Sequence, residues 1–328
     1  MQVWKMKNSK KVFILTEAVL GILVLMLAVV MLLDKSGKDP YRVSVIIENS
    51  EDNQWAAFRY GLRMAAKDCQ TEISVVPTEG IMTLEEEKEL IEQEIYNGTD
   101  GIILQPVPGT DTEEMLKKME KKVPVMLAGS RAVRDSTGAF PVTQPDNYAM
   151  GRALAEELIR DCGDNLQGKT LGVVCQTADS AAALDRSAGF REAMEGSGAK
   201  VSWNVEGIFG EGESDSLEAL PKVDFVIALD DRSTTAAGEY SAANDLHGAI
   251  VYGIGNSTEA AYYLDIGRVQ CLVVPDEFNV GYQSLEEMSR KLGHSFRKME
   301  DRQTAYTVIR RDTLFTKENQ EILFTMSQ

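Results

Sequence analysis

The chain has 328 residues, of which 34 are lysine or arginine and 51 are aspartate or glutamate, so its formal net charge is −17. An acidic surface of this kind repels phosphate backbones, which excludes nucleic acid as an expected partner. Hydrophobic residues make up 44% of the chain and charged residues 26%, a composition typical of a folded protein and not of a disordered one. Two histidines and four scattered cysteines without CxxC spacing predict neither a metal site nor a cofactor.

A long apolar segment lies close to the N-terminus. Residues 12–33 contain one ionisable side chain, Glu17, and a helix of this length extends about 33 Å, enough to cross a bilayer core. Four lysines precede the segment and two follow it, so the positive-inside rule places the N-terminus in the cytoplasm. The alternative is a cleaved signal peptide, but the apolar run is longer than usual and no small-x-small site follows it.

These features predict the organisation of the first 40 residues. Residues 1–11 are expected to form a basic cytoplasmic tail, 12–33 a transmembrane signal anchor, and 34–40 a juxtamembrane linker to an extracytoplasmic domain at the cell membrane. Glu17 has two interpretations: it snorkels to the headgroups, or it contacts a membrane helix of a partner.

From residue 41 onward, short apolar runs alternate with amphipathic stretches. Runs without polar alternation are typical of strands buried on both faces of a parallel sheet, and the alternation occurs twice, which predicts two doubly wound α/β lobes. The predicted strands cover residues 42–47, 72–76, 101–104, 123–127, 170–175, 201–206, 225–229, 250–254, 271–274 and 306–310. The predicted helices cover residues 53–68, 83–97, 112–121, 147–161, 181–197, 234–244, 258–265 and 279–291, with a capping box formed by Thr83 and Glu86.

The last helix and strand come after the second sheet is complete. We therefore expect the chain to cross back into the first lobe and to end on the second. This predicts a first lobe of 41–143 and 276–304, a second lobe of 144–275 and 305–312, and a C-terminal tail of 313–328. Cys175 and Cys271 fall in apolar strands, so buried free thiols are favoured over disulfides there.

Several short motifs follow one another in an order that resembles a known family. They are Asn53–Phe58, Gly101–Pro106, Val123–Met126, Asp146–Gly151, Asp185–Phe190, Gly253–Ser257 and Pro275–Tyr282. Together they resemble the type I periplasmic binding proteins, in particular the ribose/galactose-type sugar-binding proteins, over residues 41–312. The resemblance implies two lobes joined by a crossing hinge, with a small ligand bound at the carboxyl ends of the strands.

The resemblance also implies a set of ligand-binding residues, each placed after a predicted strand. They are Asn53, Trp55, Gln105, Ser130, Arg131, Asp230 and Asn256. Trp55 is expected to stack on the C–H face of a sugar, its alternative role being a hydrophobic contact at a helix start. Asp230 is expected to accept hydrogen bonds from hydroxyls, and its neighbour Asp231 to cap a helix.

At four positions the chain departs from the polar residues of the sugar-binding proteins that it resembles. No acid precedes Arg131, and Leu184, Gly255 and Pro275 stand at the other three positions. These departures predict a more apolar cleft, with contributions from Trp55 and from Phe140 or Phe209. A deoxy-sugar, a less polar solute, or no ligand at all are the alternatives to an ordinary sugar.

No motif for catalysis is present in the sequence: it contains no GxSxG, no P-loop and no metal-spaced His/Cys cluster, so an enzyme is not expected. The sequence predicts a membrane-anchored solute-binding protein that delivers a sugar-like ligand to the permease of an ATP-driven uptake system. The alternative is a sensor subunit that passes ligand binding to a membrane histidine kinase.

Overall fold

The structure is a computed structural model that describes residues 13, 16–27, 39–80, 82–134, 140–207 and 217–324. It divides the chain into two units, residues 1–40 and 41–328. In the first unit, residues 16–27 form a helix (α1). No helix among the described residues is long and apolar enough to cross a membrane. Residues 12, 14, 15 and 28–33 of the predicted anchor lie outside the described residues.

The second unit alternates strands and helices along the chain. Its strands are β1 (Arg42–Ile46), β2 (Glu72–Val75), β3 (Gly101–Leu104), β4 (Val125–Ala128), β5 (Val142–Pro145), β6 (Thr170–Cys175), β7 (Lys200–Glu206), β8 (Phe225–Ala228), β9 (Ile250–Ile254), β10 (Val269–Pro275), β11 (Arg302–Thr304) and β12 (Tyr306–Arg310). Its helices are α2 (Ala56–Cys69), α3 (Leu84–Tyr96), α4 (Thr110–Met119), α5 (Asn147–Cys162), α6 (Ala181–Ala193), α7 (Asp231–Ala243), α8 (Thr258–Asp265), α9 (Glu277–Gly293) and α10 (Lys317–Phe324).

The strands form two sheets, which confirms the prediction of two doubly wound lobes. The first sheet has the order β11-β5-β4-β3-β1-β2 and the second the order β12-β10-β9-β8-β6-β7. All pairs in the first sheet are parallel, whereas β12 joins the second sheet antiparallel to β10. The two short strands β5 and β11 were not predicted from the sequence.

Each sheet is covered by helices on both faces, which explains the unbroken apolar runs of its strands. Val45 packs in a core with α2 and α9, whereas its neighbour Ile46 packs in the core on the opposite face, because successive side chains of a strand point to opposite sides. The four cysteines are free, and Cys175 and Cys271 are buried, as predicted.

The chain crosses between the lobes three times, from β5 to α5, from β10 to α9 and from β11 to β12. In two of the crossings the sequence is Pro-Asp. The carboxylates of Asp146 and Asp276 cap the helices that follow, because they accept hydrogen bonds from the backbone N–H groups of Ala149 and Asn279. The backbone of Asp276 also donates to the carbonyl of Ala305 at 3.1 Å, which joins two of the crossings. The three crossing segments therefore form one hinge, while the residue boundaries given above for the lobes stay predictions.

The segment predicted as a C-terminal tail is a structural part of the second lobe. Within it, Lys317–Phe324 form α10, and Leu314 and Leu323 are buried in the core of that lobe at 1% and 5% exposure. Two apolar anchors eight to ten residues apart are too sparse to show a periodic pattern, so only the packing reveals this helix.

In each lobe, glycines allow two helices to pack with their backbones in contact. A Cβ on Gly61 of α2 would lie 2.0 Å from the carbonyl oxygen of Phe278, and one on Gly281 of α9 would lie 2.2 Å from that of Phe58. Where α5 crosses α6, a Cβ on Gly151 or on Gly189 would likewise collide with a backbone carbonyl oxygen of the facing helix. These positions have no room for a larger residue, because the obstructing atoms are backbone atoms.

The alanine variant Gly281→Ala is expected to lower the free energy of unfolding by about 1–3 kcal/mol. The added methyl group forces α2 and α9 apart, and the better helix propensity of alanine, about 1 kcal/mol, offsets only part of this cost. Denaturant unfolding measures the change. The matched control is Gly293→Ala at the end of the same helix, where a Cβ meets nothing within 4 Å. Equal stability of the two variants would contradict the close crossing.

Candidate functional site

A cavity of about 360 Å³ lies between the lobes, where the carboxyl ends of both parallel sheets face each other. Loops at this edge carry most of its side chains, as expected for open α/β sheets. The cavity is lined by Glu48, Gln54, Trp55, Met82, Gln105, Pro106, Val107, Pro108, Gly129, Ser130, Gln176, Thr177, Asp179, Ser180, Ala182, Ala183, Arg186, Asp230, Asp231, Ile254, Gly255, Asn256, Pro275 and Glu277.

Most of the binding residues predicted from the sequence line this cavity: Trp55, Gln105, Ser130, Asp230 and Asn256. The structure does not bring Asn53 or Arg131 to it. Asn53 donates through its amide to Glu259 Oε1 at 2.7 Å, in a contact between the lobes outside the cavity. Arg131 forms an ion pair with Asp301 at 2.6 Å within the first lobe.

Trp55 belongs to both the cavity wall and the core of the first lobe. It ends a 3-10 turn, Asn53–Trp55, whose cap Asp52 accepts from the backbone of Gln54. Its indole N–H donates to the carbonyl of Glu48 at 2.8 Å, and its ring packs edge-on against Phe58. With 8% of its surface exposed, Trp55 makes the hydrophobic contact at a helix start and also lines the cavity, while its stacking on a sugar stays a prediction.

Asp230 is held by the backbone of its own lobe. Its carboxylate accepts from Ser233 N at 2.8 Å, as the cap of α7, and from Gln176 N at 2.7 Å. The helix cap is thus Asp230, and the prediction of Asp231 as the cap was wrong. Asp231 is the first residue of α7, and its carboxylate accepts from the backbones of Asn256 and Ser257 at 2.7 and 2.8 Å. Burial raises the pKa of Asp231 to about 6, although these hydrogen bonds act to lower it.

Five charged cavity residues were not predicted as part of the site: Glu48, Asp179, Arg186, Asp231 and Glu277. Arg186, in α6, is held by Asn147 Oδ1 and by the carbonyl of Leu229, each at 2.8 Å. Burial lowers the pKa of Arg186, while Asp230 and Glu277 oppose the change. The sequence offered one indication of a role for Arg186, its place in the Asp185–Phe190 motif. Arg186 lies about one and a half turns into a helix that starts at the cavity.

Glu277, the first residue of α9, is 9% exposed, and its Oε2 has no hydrogen-bond partner in the described part of the chain. Burial raises the pKa of Glu277 to about 7, with Arg186 acting in the opposite direction. Burial also raises the pKa of Glu48, opposed by Arg232.

The prediction of a more apolar cleft did not include the charged side chains that line the cavity. The cavity carries the carboxylates of Glu48, Asp179, Asp230, Asp231 and Glu277 together with the guanidinium of Arg186. Phe140 is 3% exposed and lies in the core of the first lobe, whereas Phe209 lies outside the described residues.

The two lobes are in contact around the cavity. Gln176 donates to Glu48 Oε1 at 2.6 Å, Asn256 donates to the carbonyl of Gln54 at 2.8 Å, and the backbone of Ala182 donates to Ser130 Oγ at 3.2 Å. Two ion pairs add to these contacts, Arg232 with Asp52 at 3.0 Å and Arg134 with Asp185 at 2.5 Å. The structure therefore represents a closed arrangement of the lobes.

The alanine variant Arg232→Ala is expected to shift the lobes toward an open arrangement. Arg232 donates two hydrogen bonds to Asp52 Oδ2, and both side chains are 22% exposed. A pair of this exposure contributes about 1 kcal/mol, which changes the equilibrium between the open and closed arrangements roughly five-fold. Small-angle X-ray scattering measures the change as a larger radius of gyration. Arg290→Ala, which removes a pair within α9, is the control; identical scattering of both variants would argue against Arg232 as an interlobe contact.

Two doubly wound lobes on a three-segment hinge, with a polar cavity between them, define a two-lobed binding protein that closes on a small solute. A family model described as "Periplasmic binding protein domain" matches residues 43–295. The chain belongs to this family, and its fold is the type I fold that the motifs indicated. The family consists of solute-binding proteins and not of enzymes.

Solved structures share this fold. A carbohydrate transporter solute-binding protein from Agrobacterium radiobacter, solved in complex with D-arabinose, is 17% identical, with a TM-score of 0.74 over 87% of this chain and 99% of that one. The glucose-galactose binding protein GanP from Geobacillus stearothermophilus is also 17% identical, with a TM-score of 0.72 over 85% and 100%. A sugar transporter from Clostridium phytofermentans is 20% identical, with a TM-score of 0.67 over 83% and 99%. No curated protein gave a significant match.

Proposed function

We propose that this protein binds a small polyhydroxyl solute between its lobes and serves an ATP-driven uptake system. The observation that carries the proposal is the cavity of about 360 Å³, which joins polar groups from both lobes with the ring of Trp55. This volume is typical of small-molecule sites, which combine an apolar surface with a few oriented polar groups. Among the structural neighbours, one was solved with D-arabinose and another with D-fucose.

The cavity offers a distinct role to each lobe. In the first lobe, Trp55 presents an apolar ring to the C–H face of a sugar, and Gln105, fixed by the backbone of Glu48 at 3.0 Å, presents an amide. In the second lobe, Arg186 and Asn256 present donors. A ligand that contacts both lobes binds the closed form more tightly than the open one, so binding shifts the population toward closure.

Thermal unfolding of the full chain against a panel of neutral and substituted sugars tests this function. A sugar at a hundred times its dissociation constant should add about 2.7 kcal/mol of stability. The same sugar should stabilise the variant Arg186→Met much less than the parent, because this variant lacks the guanidinium in the cavity. If no sugar stabilises the chain, the proposed function is wrong.

We also propose that residues 12–33 anchor the protein in the cell membrane, with residues 1–11 in the cytoplasm and the two-lobed domain outside. The proposal rests on the long apolar run, interrupted by one ionisable side chain, and on the lysines that flank it. In a chain with Cys69 and Cys162 replaced by serine, Asn97→Cys should react with an impermeant thiol reagent on intact cells. Lys7→Cys should react only after permeabilisation. Release of the chain into the medium with a new N-terminus near Ser36 would contradict the anchor.

One sequence feature favours the second candidate, a sensor subunit for a membrane histidine kinase. The 34–40 linker reaches only about 20 Å at ~3.3 Å per residue, which keeps the domain close to its own anchor and to one fixed partner. Deletion of the gene separates the two functions. Loss of uptake of the radiolabelled ligand supports transport, whereas intact uptake with a lost transcriptional response supports sensing.

A further inference from the structure

The cavity between the lobes has an excess of negative charge. Glu48, Asp179, Asp230, Asp231 and Glu277 line it, and Arg186 is the one cationic residue among the lining residues that the structure describes. Residues 135–139 and 208–216, which the structure does not describe, contain no lysine or arginine. A neutral ligand would add no positive charge to balance this excess once closure excludes water.

The carboxylates differ in how many hydrogen bonds they accept from the rest of the protein. Asp230 and Asp231 each accept at least two backbone hydrogen bonds, so they hold the loops of the second lobe. Glu48 accepts from the amide of Gln176. Glu277 is different, because it is 9% exposed and its Oε2 has no partner in the described structure. A buried oxygen of this kind is costly unless a ligand supplies a donor.

Arg186 does not supply that donor. Its guanidinium is held by Asn147 Oδ1 and the carbonyl of Leu229, and no ion pair within 4.0 Å joins it to Glu277 in the described structure. Burial raises the pKa of Glu277 to about 7 despite the charge of Arg186, so the carboxyl is poised between its neutral and ionised forms. A cation placed beside it stabilises the ionised form.

Trp55 adds a second group that favours a cation. Its indole N–H is held by the carbonyl of Glu48, which fixes the ring in the cavity wall next to a carboxylate residue. The face of an indole ring attracts ammonium groups as well as sugar C–H groups. The cavity thus combines an indole ring, the unpartnered carboxylate oxygen of Glu277 and the side-chain amides of Gln105 and Asn256.

We propose that the ligand of this cleft is a sugar that carries a protonated amine, and that Glu277 accepts a hydrogen bond from its ammonium group. The hydroxyls of the sugar are bound by the amide and guanidinium groups of the cavity. This inference rests on the proposed function, since it specifies the chemical class of solute within the same site.

Matched sugars test the proposal by isothermal titration of the full chain at pH 7. Two series are used, glucosamine with glucose and N-acetylglucosamine, and galactosamine with galactose and N-acetylgalactosamine. The acetyl group removes the charge while keeping the nitrogen. In at least one series, the free amine should bind at least ten-fold more tightly than both neutral sugars, as expected for a hydrogen bond between charged groups.

The variant Glu277→Gln, which keeps the shape of the side chain, should weaken binding of the amine at least ten-fold and leave the neutral sugars unchanged. Glu286→Gln makes the same charge change on the same helix, in a residue that does not line the cavity, and should change neither. Equal or tighter binding of the neutral sugars overturns the amine preference and leaves the solute-binding function standing. Binding of none of the six sugars counts against both, and a preference that survives in Glu277→Gln overturns the role of Glu277.

Discussion

Replacing Trp55 with alanine is expected to lower the free energy of unfolding by about 3–5 kcal/mol and to weaken ligand binding at least ten-fold. The loss of stability follows from burial, because the ring is 8% exposed and packs with Phe58 in the core of the first lobe. The loss of binding is expected because Trp55 also lines the cavity, where a ligand would bury its exposed apolar surface. Trp55→Ala is therefore expected to reduce both quantities, contrary to what a purely ligand-facing residue would show.

The variant Trp55→Phe separates these two effects. Phenylalanine keeps an apolar ring but loses the hydrogen bond to the carbonyl of Glu48, a change of about 1 kcal/mol in stability. The matched control is Trp203→Phe, which loses an equivalent bond to the carbonyl of Pro221 in the second lobe, away from the cavity. Denaturant unfolding and ligand titration of the variants measure the two effects. A Trp55→Ala protein that binds the ligand like the parent would exclude Trp55 from the site.

The second large effect is expected at Glu287, a carboxylate with 1% of its side chain exposed. It accepts from Arg297 at 2.9 Å and from Arg302 at 3.0 Å, and so ties α9 to the segment that leads into β11. Glu287→Gln should lower the free energy of unfolding by about 3 kcal/mol, because it removes the buried negative charge that Arg297 and Arg302 share and leaves Arg302 only its exposed pair with Glu300 at 3.4 Å. The control Glu286→Gln removes an exposed pair on the same helix and should cost about 1 kcal/mol or less.

The loss of stability caused by Glu287→Gln should also depend on pH. Burial raises the pKa of Glu287, but the hydrogen bonds from Arg302 and Arg297 outweigh it, so the pKa lies below its usual value. A carboxyl with a lowered pKa contributes stability above its usual pKa and loses it as the pH falls through the folded value. The stability difference between the parent and Glu287→Gln should therefore be fully present above about pH 5 and should narrow as the pH is lowered from about 5 toward about 3. A difference that stays constant over this range would contradict the ion pair.

The sequence by itself determined the layered fold and most of its elements. Strands buried on both faces leave unbroken apolar runs, and helices with local start signals leave a cap, so α8 was predicted with its observed bounds and α3 with its Thr83 capping box. The strands β5 and β11 were missed because they are short, partly polar and located at the hinge. Their pairing depends on residues about 160 positions apart, which no local pattern encodes.

The lining of the cavity was determined by the sequence only in part. Its residues Trp55, Gln105, Ser130, Asp230 and Asn256 could be placed there because parallel sheets bring the residues that follow their strands to one edge. Which of two adjacent acids caps α7 depends on backbone angles, and only the fold decided for Asp230. The charge of the cavity was also decided by tertiary structure, because Glu48, Arg186 and Glu277 reach one space only when the hinge brings the two lobes together. A local pattern records which face of an element is buried, whereas contact between lobes depends on distances that only the folded chain sets.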